Sequence, residues 1–279
     1  MCVWCDQYGN GDKWYFNPAN YARRMYKIRK DEVEATGTEA NPQVGEGGMA
    51  GGATLEIMEA YLKGDHETYE KLKREAEDRA WRVHFGQVIT LEEVLKAADL
   101  LYPIARMTCS CRRNALGVAH EENMSCIGMG PGMYKWERWP ESYRGGVEFI
   151  TPDQLKEYLQ KLNKTGYVHT IAAFGTPYLG GICNCDYPDC VFIRDAVDYG
   201  VRRLWKGHYV AQVDPKLCNG CGLCIKRCQF KALTFSGSRN QAHIDMRQCY
   251  GCGNCRAVCK PGAIGLRERA NLPALESVW

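Results

Sequence analysis

Cys218, Cys221, Cys224 and Cys228 follow the spacing C-x2-C-x2-C-x3-C, and Cys249, Cys252, Cys255 and Cys259 repeat it 31 residues later. Three thiolates at these intervals on a tight loop can hold three corners of an iron-sulfur cube. The glycines between them let the backbone approach the inorganic sulfurs and donate N–H bonds. The fourth cysteine of each set falls on the helix that follows and points away, toward a second cube. Zinc is the competing metal, but zinc sites favour two separated C-x2-C pairs, or one such pair with histidines, and have no use for triplets. The C-x-x-C-H signature of haem attachment is absent.

Six more cysteines, Cys109, Cys111, Cys126, Cys183, Cys185 and Cys190, form a less regular group. Residues i and i+2 of a strand face the same way about 6.5 Å apart, a span that suits two thiolates on neighbouring corners of a cube. The two C-x-C pairs are therefore candidates for an additional iron-sulfur centre, with Cys126 and Cys190 completing or flanking it. A zinc site and unligated or reactive thiols are the alternatives. Arg112 and Arg113 follow Cys111 directly and would stabilise thiolates or an anionic cluster, or meet an acidic substrate. A solvated basic turn is their plainer reading. His120 and His169 are candidate ligands or proton donors, although either would serve equally as a surface or core residue. Cys2 and Cys5 make an N-terminal C-x2-C. They either join the upstream six, form a reversible disulfide, or take a metal from a partner.

The elements that must position these residues can be read in outline. Asn17 and Pro18 open a helix running to about Glu34, with Asn17 as cap. Residues 53–83 read as two helices broken near Gly64. The stretch GEGGMA fits G-x-G-x-x-A, but no strand precedes it, so it reads as a loop opening a helix, with an anion or cofactor contact at that helix start as the alternative. Two segments then look duplicated. The first, from Val88, has a strand, a capping box from Thr90 to Glu93, a helix, a strand and the pair Cys109/Cys111. The second, from Glu148, has a strand, a box from Thr151 to Gln154 with Pro152 at the first helical position, a helix, a strand and the pair Cys183/Cys185. Side-by-side packing of two such units would bring their C-x-C ends together.

Residues 209–269 resemble the bacterial-type ferredoxin with two [4Fe–4S] clusters, on the strength of the repeated cysteine pattern in VDPKLCNGCGLCIKRCQFKALTF and IDMRQCYGCGNCRAVCKPGAIGL. The resemblance implies one cluster on Cys218, Cys221, Cys224 and Cys259 and another on Cys249, Cys252, Cys255 and Cys228. Gln229 and Lys260 stand where that family places proline, and Lys260 puts positive charge near a cube, one of the terms that set potential. With its C-x-C-R and C-N-C elements, the stretch from about 86 to 269 looks like ferredoxin-fusion proteins of anaerobes.

The expected fold class is α+β: a helical N-terminal region (1–85), an α/β cysteine-containing middle domain (86–208) and a C-terminal dicluster ferredoxin-like domain with its tail (209–279). Expected cofactors are [4Fe–4S] clusters, at least two and, with the upstream group, three or more. The 45% hydrophobic content supports packed cores, and no apolar run reaches the roughly 18 residues of a membrane span. No export signal is recognisable, which with sixteen cysteines points to a reducing cytoplasm and metal chemistry in place of disulfides. A net charge of +3 is too mild for nucleic acid and leaves room for an acidic protein partner. The function expected is single-electron relay, as a non-catalytic subunit beside a redox partner or the catalytic subunits of an anaerobic oxidoreductase complex, with membrane association only through such a partner. An enzyme that reduces a substrate at the upstream centre and a redox sensor are the alternatives.

Overall fold

The computed structural model describes residues 2–21, 52–84, 86–109, 111–112, 124–130, 146–173, 177–275 and 278. Arg113, His120, the GEGGMA stretch and most of the helix expected after Asn17 lie outside them. Residues 18–21 are helical, with the Asn17 Oδ1 accepting from the Ala19 N–H at 3.1 Å.

The N-terminal part contributes helices α1 (Val3–Tyr8), α2 (Gly52–Lys63) and α3 (His66–Val83). The α2–α3 break falls at Gly64 (φ +70), where the left-handed conformation suits a residue without Cβ. Asp65 then caps α3 by accepting from the Thr68 N–H.

The middle part holds β1 (Gln87–Ile89), α4 (Leu91–Ala97), β2 (Ile104–Met107), β3 (Cys126–Met129), β4 (Val147–Ile150), α5 (Pro152–Thr165), β5 (Val168–Ala173), β6 (Leu179–Cys185) and α6 (Val191–Asp198). Both capping boxes are present as read, Thr90 with Glu93 and Thr151 with Gln154. The strand order is β1-β5-β6-β3-β2-β4. Exchanging β1 with β4, β2 with β5 and β3 with β6 reverses this order onto itself, so the duplicated units interleave about a pseudo-twofold axis between β3 and β6.

This arrangement corrects the α/β expectation for this part. Every pairing in the sheet is antiparallel. Strands β1 and β2 run the same way, as a strand–helix–strand unit requires, but three other strands separate them. The second copy also forms a β5–β6 hairpin, and Cys183 and Cys185 lie on its second strand.

Side-chain alternation gives the sheet two different faces. Ile89, Ile104, Ile127, Ile171 and Ile182 point to a core shared with α4, α5 and the N-terminal Trp4, Trp14 and Tyr15. Val88, Met107, Cys126, Val168 and Cys185 point to the opposite face, covered by Phe192 and Ile193 of α6 and by Phe230 and Tyr250 from the C-terminal part.

The C-terminal part is built from β7 (Tyr209–Val213), α7 (Leu223–Arg227), β8 (Leu233–Ser236), β9 (Gln241–Ile244), α8 (Asn254–Ala257) and β10 (Ile264–Glu268), paired as β7–β10 and β8–β9. Its repeats exchange equivalent bonds: the Asp214 N–H donates to Ala263 O at 2.7 Å and the Asp245 N–H to Ala232 O at 2.8 Å. Each repeat thus closes on the other. Among the described residues no helix is long and apolar enough to cross a membrane.

Candidate metal centres

The eight C-terminal cysteines sit on two equivalent loops. Gly220 and Gly251, and Gly222 and Gly253, all have φ between +72° and +79°, which lets each loop fold back between its cysteines. A Cβ on Gly251 would stand 2.1 Å from Tyr209 O. Burial raises the Cys255 thiol, and the neighbouring thiols Cys252, Cys249 and Cys228 add to the effect. Burial also holds Cys252 up at about 12, with Cys249 and Cys228 again its thiol neighbours. Cys224 is raised by burial, and the thiols acting on it are Cys259 and Cys218. Cys228 of the first repeat thus lies near Cys249, Cys252 and Cys255 of the second, and Cys259 of the second near Cys224 of the first. All eight are free thiols, a soft donor set that suits iron-sulfur clusters.

The six upstream cysteines all line one cavity. Cys109 and Cys111 follow β2. Cys126 opens β3 directly opposite Cys183 on β6, Cys185 ends β6, and Cys190 caps α6. The C-x-C pairs converge, but not as symmetry mates: one trails the second strand of its unit, the other ends the third strand of its own. The antiparallel crossing of β2, β3 and β6 brings them together. Cys109 is held well below the usual thiol range by hydrogen bonds from Cys111 and Cys126. Cys111, Cys126 and Cys185 are raised, each first by a thiol neighbour and then by burial. Six sulfurs in one dry space can ionise together only against cationic charge. That is the donor chemistry of an iron-sulfur centre, and the residues fit one.

Arg112 lines the same cavity and is buried. Its guanidinium is engaged by Asp186, by the Tyr167 hydroxyl at 2.7 Å and by Asp189 at 3.6 Å. Burial works against its charge, yet Asp186 and Tyr167 more than compensate and raise its pKa. It supplies fixed positive charge beside Cys109 and is not presented to an acidic substrate. His169 is fully enclosed, with Nδ1 2.7 Å from Asn184 Oδ1 and Nε2 3.4 Å from the Asn163 side-chain nitrogen. Burial lowers its pKa to about 4, so it is a neutral linker between α5 and β6 and does not line the cavity.

Contacts that nothing in the motifs announced join the two centres. Asn254, between Gly253 and Cys255, donates to Gly166 O at 2.8 Å and Tyr167 O at 3.1 Å. Arg227 donates to Thr165 O at 2.7 Å and to Lys164 O. Gln229, in the slot where proline was expected, accepts from the Tyr187 N–H at 2.8 Å and donates to Gly166 O. The carbonyls at the end of α5 are thus satisfied by the cysteine-bearing loops. Cys228 and Cys252 consequently pack against the apolar cluster that contains Cys111, Cys126, Cys185 and Cys190. Cys2 and Cys5 lie elsewhere, in the core on the other sheet face, with their sulfurs near His208.

Residues 206–263 match the 4Fe-4S dicluster domain family. The match covers all eight C-terminal cysteines and stops short of the upstream six. The match supports a ferredoxin-like 4Fe-4S dicluster domain in the C-terminal part, a domain type that suggests iron-sulfur electron transfer. No curated protein matches the chain.

Proposed function

We propose that this chain is an electron-transfer protein or subunit in which the dicluster domain is wired to a third iron-sulfur centre held by the upstream cysteines. When bound, the clusters supply one-electron couples. Cys218, Cys221, Cys224 and Cys259 would hold one cluster, and Cys249, Cys252, Cys255 and Cys228 the other. The upstream six provide more than the four thiolates that a further cube requires. The three-part division at about residues 85 and 208 is retained as part of this proposal.

The observation that carries the reading is the shared apolar cluster. It joins Cys228 and Cys252 of one set to the upstream cavity, while the other set reaches the surface at the exposed Cys221. This gives the relay a direction: exchange with a partner at the Cys221 end, and storage or delivery at the buried end. Around the surface end, Leu217 and Leu223 are exposed, and Lys226 and Lys260 flank Cys259. Apolar side chains ringed by cations suit an acidic redox partner. The partner class is a redox protein or the catalytic subunits of a larger oxidoreductase. The setting is cytoplasmic and poor in oxygen, where the thiols stay reduced. The engagement of Arg112 by two aspartates weighs against a substrate-reducing site in the cavity. Stoichiometric reductive titration of the anaerobically isolated chain tests the proposal. Uptake of more electrons than two clusters accept, with no turnover by the chain alone, is expected; uptake limited to two would refute the wired third centre.

A further inference from the structure

The N-terminal C-x2-C meets histidine where the sequence offers no hint of it. The Cys2 and Cys5 sulfurs are 3.2 Å apart, Cys5 Sγ lies 3.1 Å from His208 Nε2, and Cys2 Sγ lies 3.9 Å from His84 Nε2. Around one tetrahedral zinc ion with bonds near 2.3 Å to sulfur and 2.0–2.1 Å to nitrogen, such separations are about 3.8 Å for S···S and 3.6 Å for S···N. All four side chains are buried: Cys2 and Cys5 are 1% exposed, His84 0% and His208 7%. We propose that Cys2, Cys5 and His208, whose ligand atoms lie within 4.8 Å of one another, form a mononuclear zinc site separate from the iron-sulfur cysteines. His84, 3.9 Å from Cys2 Sγ and facing Gln87 Oε1 at 3.2 Å, turns to supply the fourth ligand.

The surroundings prepare this donor set. Tyr15 donates its hydroxyl proton to Glu93 Oε1 at 2.9 Å and stands 3.3 Å from His208 Nδ1. A hydroxyl already donating to a carboxylate can only accept from that nitrogen. His208 therefore carries its proton on Nδ1 and directs the Nε2 lone pair at the sulfurs. This is the outer-shell arrangement that orients metal-bound histidines. His84 is a non-glycine residue in the left-handed conformation (φ +50) at the end of α3, stacked on Trp4 at 4.6 Å. Its Nδ1 has no hydrogen-bond partner. A strained backbone and an incompletely satisfied buried ring mark a side chain held for a purpose.

Other readings fit less well. A disulfide needs its sulfurs about 2.05 Å apart, and both thiols are free. A cube needs four thiolates, and this group has two. Two nitrogens with two sulfurs is a zinc donor set. The ion would tie α1 and the end of α3 to His208, the residue that precedes β7 of the dicluster domain.

Metal analysis and zinc K-edge absorption of the anaerobically isolated full chain test the site, because the zinc edge is read independently of iron. About one zinc per chain is expected, with two sulfur and two nitrogen neighbours. Zinc misplaced in the upstream cavity would see a sulfur-dominated shell, because six cysteines and, among the described residues, no histidine line it. Cys5→Ser and His208→Gln should each lose zinc and keep iron, and Tyr15→Phe should release zinc to a chelator about 10- to 100-fold more readily. Absence of zinc from the wild-type chain, a sulfur-only shell, or loss of iron in place of zinc from Cys5→Ser would each overturn the proposal. The wild-type spectrum decides even if a variant fails to fold.

Discussion

Replacing Gln229 by proline would restore the residue that the ferredoxin pattern places after the fourth cysteine, and it separates cluster binding from domain docking. Cys228 has φ −79 and ψ 105, at the near edge of the extended region that a following proline favours, so the loop should accept the change with a small backbone adjustment and both clusters should load. What disappears is the pair of side-chain bonds to the Tyr187 N–H and Gly166 O. At about 0.5–1.5 kcal/mol each, their loss weakens docking by roughly 1–3 kcal/mol, or about 5- to 150-fold in the undocked population. Native-state hydrogen exchange reads this directly. Amides of residues 162–167 and 187–190 should exchange faster by that factor, while the cluster spectra stay unchanged. Wild-type protection in those segments would refute the docking role of Gln229, and loss of a cluster would show that the position shapes the iron site instead.

Three further outcomes are expected. Cys259→Ala should damage the cluster held with Cys218, Cys221 and Cys224 and spare that of Cys249, Cys252 and Cys255, as electron paramagnetic resonance would read; the opposite loss would contradict crossed ligation. Gly222→Ala, with nothing within 4 Å of its added Cβ, should cost only the left-handed backbone strain of about 1–2 kcal/mol and keep both signals, whereas Gly251→Ala, 2.1 Å from Tyr209 O, should disrupt its cluster; equal effects would refute the packing argument. His169 titrates near 6.5 when unfolded and at about 4 when folded, so the unfolded chain takes up the proton first and stability falls with acid by about 1 kcal/mol between pH 6.5 and 5.5. Denaturant midpoints of wild type and His169→Asn should converge over that range, and parallel slopes would remove the attribution.

What could be read from the sequence was local. The C-terminal cysteines follow from spacing within one loop and its repeat, and the two capping boxes from side chains three residues apart. The upstream cysteines were recognisable as a group, but their meeting point depends on β3 lying opposite β6, a pairing between residues 126 and 183 that no local pattern encodes. The strand–helix–strand order suggested an α/β domain, whereas the interleaving of the two copies makes the sheet antiparallel. Gln229 in the proline slot was visible as a departure; its reason, the carbonyls at the end of α5, lay more than sixty residues away. His208 and His84 had no motif to flag them, since their relation to Cys2 and Cys5 arises from folding alone.

The iron and sulfide content of the anaerobically reconstituted chain, compared with that of the Cys183→Ala, Cys185→Ala double variant, tests the central claim most directly. Two clusters account for about eight irons per chain, and a third cube raises this to about twelve. The account predicts more than eight in the wild type and a fall toward eight in the variant, with both dicluster signals intact. About eight in both proteins would contradict it and leave the upstream cysteines without iron.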